Sequence, residues 1–187
     1  MRELSLVVLG WIVFLSMDPM RCVADEVRGG AVGSEYLIVS IHHPRDVGTR
    51  IRIQEIKETD PGADITWMVY RGAYERRSKE EGKALVPLIE SVRDKYGVRL
   101  IPFSRTEEFV RHFNRGQPRD KVKIVDLEYF GHSNKACWMF DYSNEIDGCS
   151  KAWFHETEIA ALDREALAQG AHVKSWGCYS GESMSSV

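Results

Sequence analysis

Cysteine is scarce, with four in 187 residues, at positions 22, 137, 149 and 178. That is too few for a disulfide scaffold, and a chain of this length buries enough apolar surface to need none. Neither sign of charge dominates. Lys plus Arg is 25 and Asp plus Glu is 28, a net −3 that gives no basis for a nucleic-acid or polyanion partner. No apolar run is long enough to span a bilayer. Leu4–Met17, interrupted only by Ser and Gly, would make a helix of about 21 Å against a hydrocarbon core of about 30 Å. Neither G-x-x-x-x-G-K-[ST] nor G-x-G-x-x-G occurs, so a nucleotide site has no support, and no G-x-S-x-G marks a hydrolase serine. Metal spacings are missing too. There is no C-x-x-C or tight H-x-H, and His155-Glu156 opens like H-E-x-x-H but meets Ile159 where the second His would stand. Neither a metal nor a cofactor is expected. No repeat or low-complexity tract appears. A hydrophobic fraction of 43% with 28% charged residues excludes wholesale disorder, collagen and a polytopic membrane protein.

What is present begins with a targeting signature. Met1-Arg2-Glu3, a short apolar run and then Cys22-Val23-Ala24 predict a signal peptide over residues 1–24, cleaved after Ala24. The expected location is therefore secreted or periplasmic, with no membrane contact beyond that signal; an uncleaved anchor is the alternative. Cleavage removes Arg2, Glu3, Asp18 and Arg21 and leaves the net charge unchanged. It also removes Cys22, and the odd count that remains means either one disulfide plus a free thiol or three thiols. Asp25–Ser34 is Gly-rich and polar and reads as a linker. Residues 35–187 then form one domain.

Within that domain the apolar runs Tyr36–Ile41 and Ile65–Tyr70 predict buried strands, as do Val98–Phe103 and Lys121–Phe130. Thr49–Ile56 alternates Ile51 and Ile53 with polar neighbours and reads as a half-exposed strand. Ser78 with Glu81, and Ser104 with Glu107, read as capping boxes opening helices that close at Gly97 and Gly116. Ala136–Phe154 suggests a hairpin around SNEIDG. His155–Gln169 reads as a helix closed by Gly170, and Ala171–Trp176 as a last strand. Strands alternating with helices argue an α/β fold with a mostly parallel, doubly covered sheet.

Two strand ends carry the chemistry. One ends at Gly131-His132-Ser133-Asn134 and the other at Gly177-Cys178. Sites in open α/β sheets collect at the carboxyl ends of strands. A Cys thiolate is a nucleophile, and an imidazole beside it promotes ionisation and later protonates a leaving group. The flanking glycines let backbone approach a substrate carbonyl. His42 also ends a strand and is an accessory candidate, as is Asn134. Asp126 or Glu128 could orient the His132 ring. Cys137 and Cys149 are candidates for one disulfide, which would leave Cys178 free.

A buried strand ending in FGHSN, one βα unit, and a buried strand ending in SWGCYSG resemble the caspase-like cysteine peptidases. This clan includes caspases, metacaspases, clostripain, gingipain and legumain. The resemblance implies a three-layer α/β/α sandwich and a cysteine-type endopeptidase acting on peptide or protein substrates. It assigns Cys178 as nucleophile and His132 as general acid/base, with backbone around Gly131, Ser133 and Gly177 at the oxyanion. In the family a Gly follows the His, whereas here Ser133 follows and Gly131 precedes. Family members also continue past the Cys with pocket-building strands, so the resemblance implies a domain incomplete after Cys178. A catalytically silent binding module of the same fold is the alternative, and a cysteine amidase or acyl hydrolase on a non-protein substrate is a third reading. The sequence leaves the oligomeric state open.

Overall fold

The computed structural model describes residues 33–41, 47–141 and 152–178. The segments read as signal peptide, most of the linker, the SNEIDG turn, His42 and Cys149 lie outside the described residues. The predicted strands form: β1 (Gly33–Ser40), β2 (Asp64–Tyr70), β3 (Arg99–Phe103), β4 (Val122–Phe130) and, later in the chain, β8 (Leu167–Ser175); β8, expected to be buried, has no buried residue, because its polar side chains are only partly covered. They form one all-parallel sheet in the order β3-β2-β1-β4-β8. Gly33 and Ser34, read as linker, are the first residues of β1.

Helices cover both faces. On one side lie α1 (Val47–Thr59), α2 (Arg71–Glu81) and α3 (Leu85–Tyr96), whose Ile53, Ile56, Tyr74, Ile89 and Val92 pack on Ile38, Ile65, Trp67 and Val69. On the other, Phe109 and Phe113 of α4 (Thr106–Arg115) pack on Leu37, Val39, Met68, Leu127 and Tyr129. A three-stranded antiparallel sheet joins this second layer, made of β5 (His132–Ser133), β6 (Trp138–Met139) and β7 (Trp153–Phe154). Its Phe154 and the adjacent Phe140 meet Phe109 edge-on, with ring centroids 5.1 and 5.8 Å away, and each other at a tilt. The result is a helix–sheet–helix sandwich, as the alternation of elements predicts.

Four local expectations are corrected. Thr49–Ile56 is helical, not extended. Thr49, Ile53 and Ile56 share the buried face of α1 at spacings of four and three, while Ile51 is 49% exposed. The β-branched Ile pattern mimics a strand, but burial on the sheet selects the helical period. Ser78 does not open a helix. It lies in the last turn of α2, which Gly82 closes in the left-handed region at φ 61°, and its hydroxyl accepts the Leu85 N–H at the start of α3. Ser104 does not cap α4 either. The capping position falls on Arg105, without a side-chain bond, and Glu107 and Glu108 instead face the positive end of the helix dipole. Finally, His155–Gln169 is not one helix. It contains α5 (Glu156–Ala160) and a 3₁₀ turn (Arg164–Ala166), and β8 starts at Leu167 rather than Ala171. Asn114 forces this break, because its carboxamide donates to Ala161 O and accepts from Asp163 N. Gly170, at φ 74°, lies within β8 where its pairing with β4 slips, a conformation suited to glycine at a bulge.

Candidate functional site

The chain order of the sheet reverses between β1 and β4. From β1 it runs outward through β2 to β3, then returns on the other face through α4 to β4 and continues to β8. In open α/β sheets the crevice outside the carboxyl ends at such a reversal is the favoured binding place. The Gly131–Ser133 segment leaves β4 at that reversal. Gly177 and Cys178 leave β8, the neighbouring parallel strand.

Both ends are tightly joined. Trp176 N donates to Tyr129 O at 2.8 Å, extending the β4–β8 pairing past Ser175. The Ser133 hydroxyl donates to Cys178 O at 2.6 Å. The glycines make this approach feasible. A Cβ on Gly177 would stand 2.1 Å from Ser133 Oγ, and one on Gly131 would stand 2.4 Å from the Tyr129 hydroxyl and 2.7 Å from Ile41 Cγ1. The backbone segments Gly131–Ser133 and Gly177–Cys178 are thus brought together through Ser133. Cys178 is an exposed free thiol, and His132 is half-buried. Gly177→Ala is expected to lower the thermal midpoint by several degrees, since overpacking of this kind costs roughly 1–3 kcal/mol. Adding Ser133→Gly should recover part of the loss. A wild-type midpoint for Gly177→Ala in a melting experiment would contradict the contact.

The other predicted residues stand apart from this cluster. Asn134 is spent on its own loop, its Oδ1 accepting from Ala136 N at 2.8 Å and Cys137 N at 2.9 Å. Cys137 is a buried free thiol. Burial pushes its thiol up in pKa, against a smaller downward pull from the Asn134 bond, so it is not an activated nucleophile. Its candidate disulfide partner, Cys149, and the accessory candidate His42 lie outside the described residues. Asp126 and Glu128 project onto the α1 side, where Arg52 holds both. Burial and then the charge of Glu128 raise the Asp126 pKa, Arg52 offsetting only part.

Sequence reasoning missed Tyr129. Its hydroxyl donates to His132 O at 2.6 Å and reaches Met139 O at 3.3 Å, while its ring stacks on Trp138 at 4.5 Å. Burial raises its pKa far above the usual phenol range, so it stays a donor and fixes the His132 backbone. Nothing in the local pattern distinguishes it from other core aromatics. Asp141 was missed as well. It joins the small sheet to the carboxyl end of β2, accepting from Arg76 at 2.6 Å and from the Tyr70 hydroxyl at 3.4 Å. Burial, then the Asp141 charge, pushes the Tyr70 pKa up to about 12.

A groove of about 370 Å³ lies elsewhere, between α4 and α5, and includes none of the candidate site residues predicted from sequence. Among the described residues no three His, Cys, Asp or Glu side chains gather as metal ligands would, and no helix is long and apolar enough to cross a membrane. No protein-family model, no curated protein and no solved structure matches the chain.

Proposed function

We propose that the chain is an exported cysteine hydrolase cleaving peptide bonds, built on a caspase-like version of the α/β/α sandwich. The observation that carries the reading is the join of two adjacent parallel strand ends, sealed by the Ser133–Cys178 bond, with His132 on one and Cys178 on the other. In the proposed reaction the Cys178 thiolate attacks the substrate carbonyl carbon and the carbonyl electron pair moves onto oxygen. Backbone N–H groups around Ser133 and Cys178 stabilise that oxyanion. Its collapse breaks the C–N bond, and the His132 imidazolium gives the departing amine its proton, leaving a thioester. Water then attacks the thioester, His132 takes its proton, and the C–S bond breaks to release the acid and the thiolate. No step needs a cofactor or metal.

One feature favours a second reading, a binding module without catalysis. Val173 and Trp176, on and beside β8, the edge strand among the described residues, are 57% and 52% exposed, and an edge with apolar side chains is a template for partners. A peptide library incubated with the purified full chain separates the two. New peptide termini found by mass spectrometry with the wild type and missing with Cys178→Ser support hydrolysis. Capture of peptides with no new termini in either protein overturns it.

A further inference from the structure

We propose that Glu128 and Trp176 are a positioning pair that fixes the Cys178 turn, an inference that rests on reading Cys178 as the nucleophile. The turn follows β8, which among the described residues pairs with β4 alone. An element terminus held from one side is where local opening is cheapest, and the anchors seen among the described residues come from β4 and the segment that follows it.

Two anchors act directly on the backbone, the Trp176 N–H on Tyr129 O and the Ser133 hydroxyl on Cys178 O. The third is a side chain. The Trp176 indole N–H donates to Glu128 Oε2 at 2.7 Å, and its ring stacks on Phe130 with centroids 5.8 Å apart and planes 14° apart. Lys174 Nζ lies 3.7 Å from the ring centroid. An indole that is 52% exposed gains little from burial. Its order comes from this bond and from the rings and cation against it.

Glu128 is suited to be the fixed post. It is 3% exposed and its other oxygen is bonded by Arg52, which also holds Asp126 at 3.1 Å. A buried carboxylate gripped by a guanidinium does not follow a moving partner, and its bond to an N–H is charge-assisted. Phe130, which the indole stacks on, stands two residues before His132, and Trp176 two residues before Cys178. The pair therefore locks the two strand ends in register from the α1 side, while Ser133, in the small sheet, holds the carbonyl of Cys178.

The test reads the thiol itself. The rate of Cys178 alkylation by iodoacetamide is followed against pH by peptide mass spectrometry, beside peptide hydrolysis and the melting midpoint. The charged groups packed around the turn are Glu128 and Lys174, with Arg52, Asp126 and His172 behind them. Trp176→Phe keeps the stack and loses the N–H. Glu128→Gln keeps an acceptor and loses the charge, and Glu128→Leu loses both. We expect Trp176→Phe and Glu128→Leu each to slow alkylation near neutral pH by about three- to tenfold. The double variant should be no slower than the slower single one. Glu128→Gln should melt earlier, because Arg52 loses one of its ionic partners, and give a rate between wild type and Glu128→Leu. A wild-type rate and pH profile for Trp176→Phe overturns the proposal even if Glu128→Leu fails to fold. So do additive losses in the double variant, or a Glu128→Gln as slow as Glu128→Leu. Hydrolysis that is lost in His132→Ala and untouched in Trp176→Phe sinks the positioning pair alone. The expected alkylation pattern in a chain that cleaves no peptide supports the pair and sinks the hydrolase reading.

Discussion

Replacing Glu35 by leucine is expected to remove most of the stability of the domain. Glu35 opens the buried part of β1 with 0% exposure, and it accepts bonds from Thr66, His112 and Arg119. Arg119, 8% exposed, also donates to the carbonyls of Phe113, His112 and Val122. The network ties β1, β2, α4 and the start of β4 at the end of the sheet opposite the candidate site. Breaking a buried ion pair from one side leaves an uncompensated charge and costs roughly 3–5 kcal/mol. Total stabilities run about 5–15 kcal/mol. A urea midpoint for Glu35→Leu within error of wild type would refute this account.

The same network sets an acid limit. Burial alone would raise the Glu35 pKa, but the bonds from His112, Thr66 and Arg119, with the Arg119 charge, outweigh it and lower it from 4.5 to about 2. A depressed carboxyl pKa contributes stability that is fully present above the unfolded value and lost as pH falls through the folded one. The window is therefore pH 4.5 down to about 2, and the amount is on the order of 3 kcal/mol. Glu35→Gln should start less stable and show a flatter decline across that window. Equal acid slopes for the two proteins would place the titrating group elsewhere.

The second large effect concerns Cys178. On the proposed hydrolase reading, Cys178→Ser should reduce peptide hydrolysis to background, and His132→Ala should reduce it by about 10²–10⁴-fold, the usual worth of a general acid/base. Cys178→Ser should leave the melting midpoint nearly unchanged, because an exposed side chain adds little to the core. Iodoacetamide should label Cys178 well before Cys137, which is 5% exposed and has a raised pKa. Labelling of Cys137 at the Cys178 rate would leave the thiol chemistry without a site.

The unbroken apolar runs around Leu37–Val39 and Ile65–Val69 specified buried strands on their own. A strand covered on both faces has no solvent side to encode, so its signal is local and strong. The glycines beside His132 and Cys178 were also legible, because close backbone approach needs them wherever the strands lie. Residues 47–59 were not legible in this way. Ile51 and Ile53 alternate like a strand, and only the sheet beneath decides that Thr49, Ile53 and Ile56 face inward together. The same holds for Asn134, whose carboxamide is consumed by a turn that the chain closes only when Cys137 comes back to it. It holds for Asn114, which ends a helix some fifty residues away in the chain.

Tertiary structure alone decided which strand ends meet. Local pattern determines that a segment is extended and where it stops, but the order β3-β2-β1-β4-β8 depends on which face each crossover takes. That order sets β4 against β8 and so puts Ser133 within reach of Cys178 and Glu128 within reach of Trp176. It also gathers Glu35, Thr66, His112 and Arg119 from four separate segments into one buried network. Glu35, Thr66 and His112 are remote from one another in sequence, as are Ser133 and Cys178, and Glu128 and Trp176. Periodicity reaches only a few residues along a chain, so the sequence marked the individual groups and the packing of the sheet chose their neighbours.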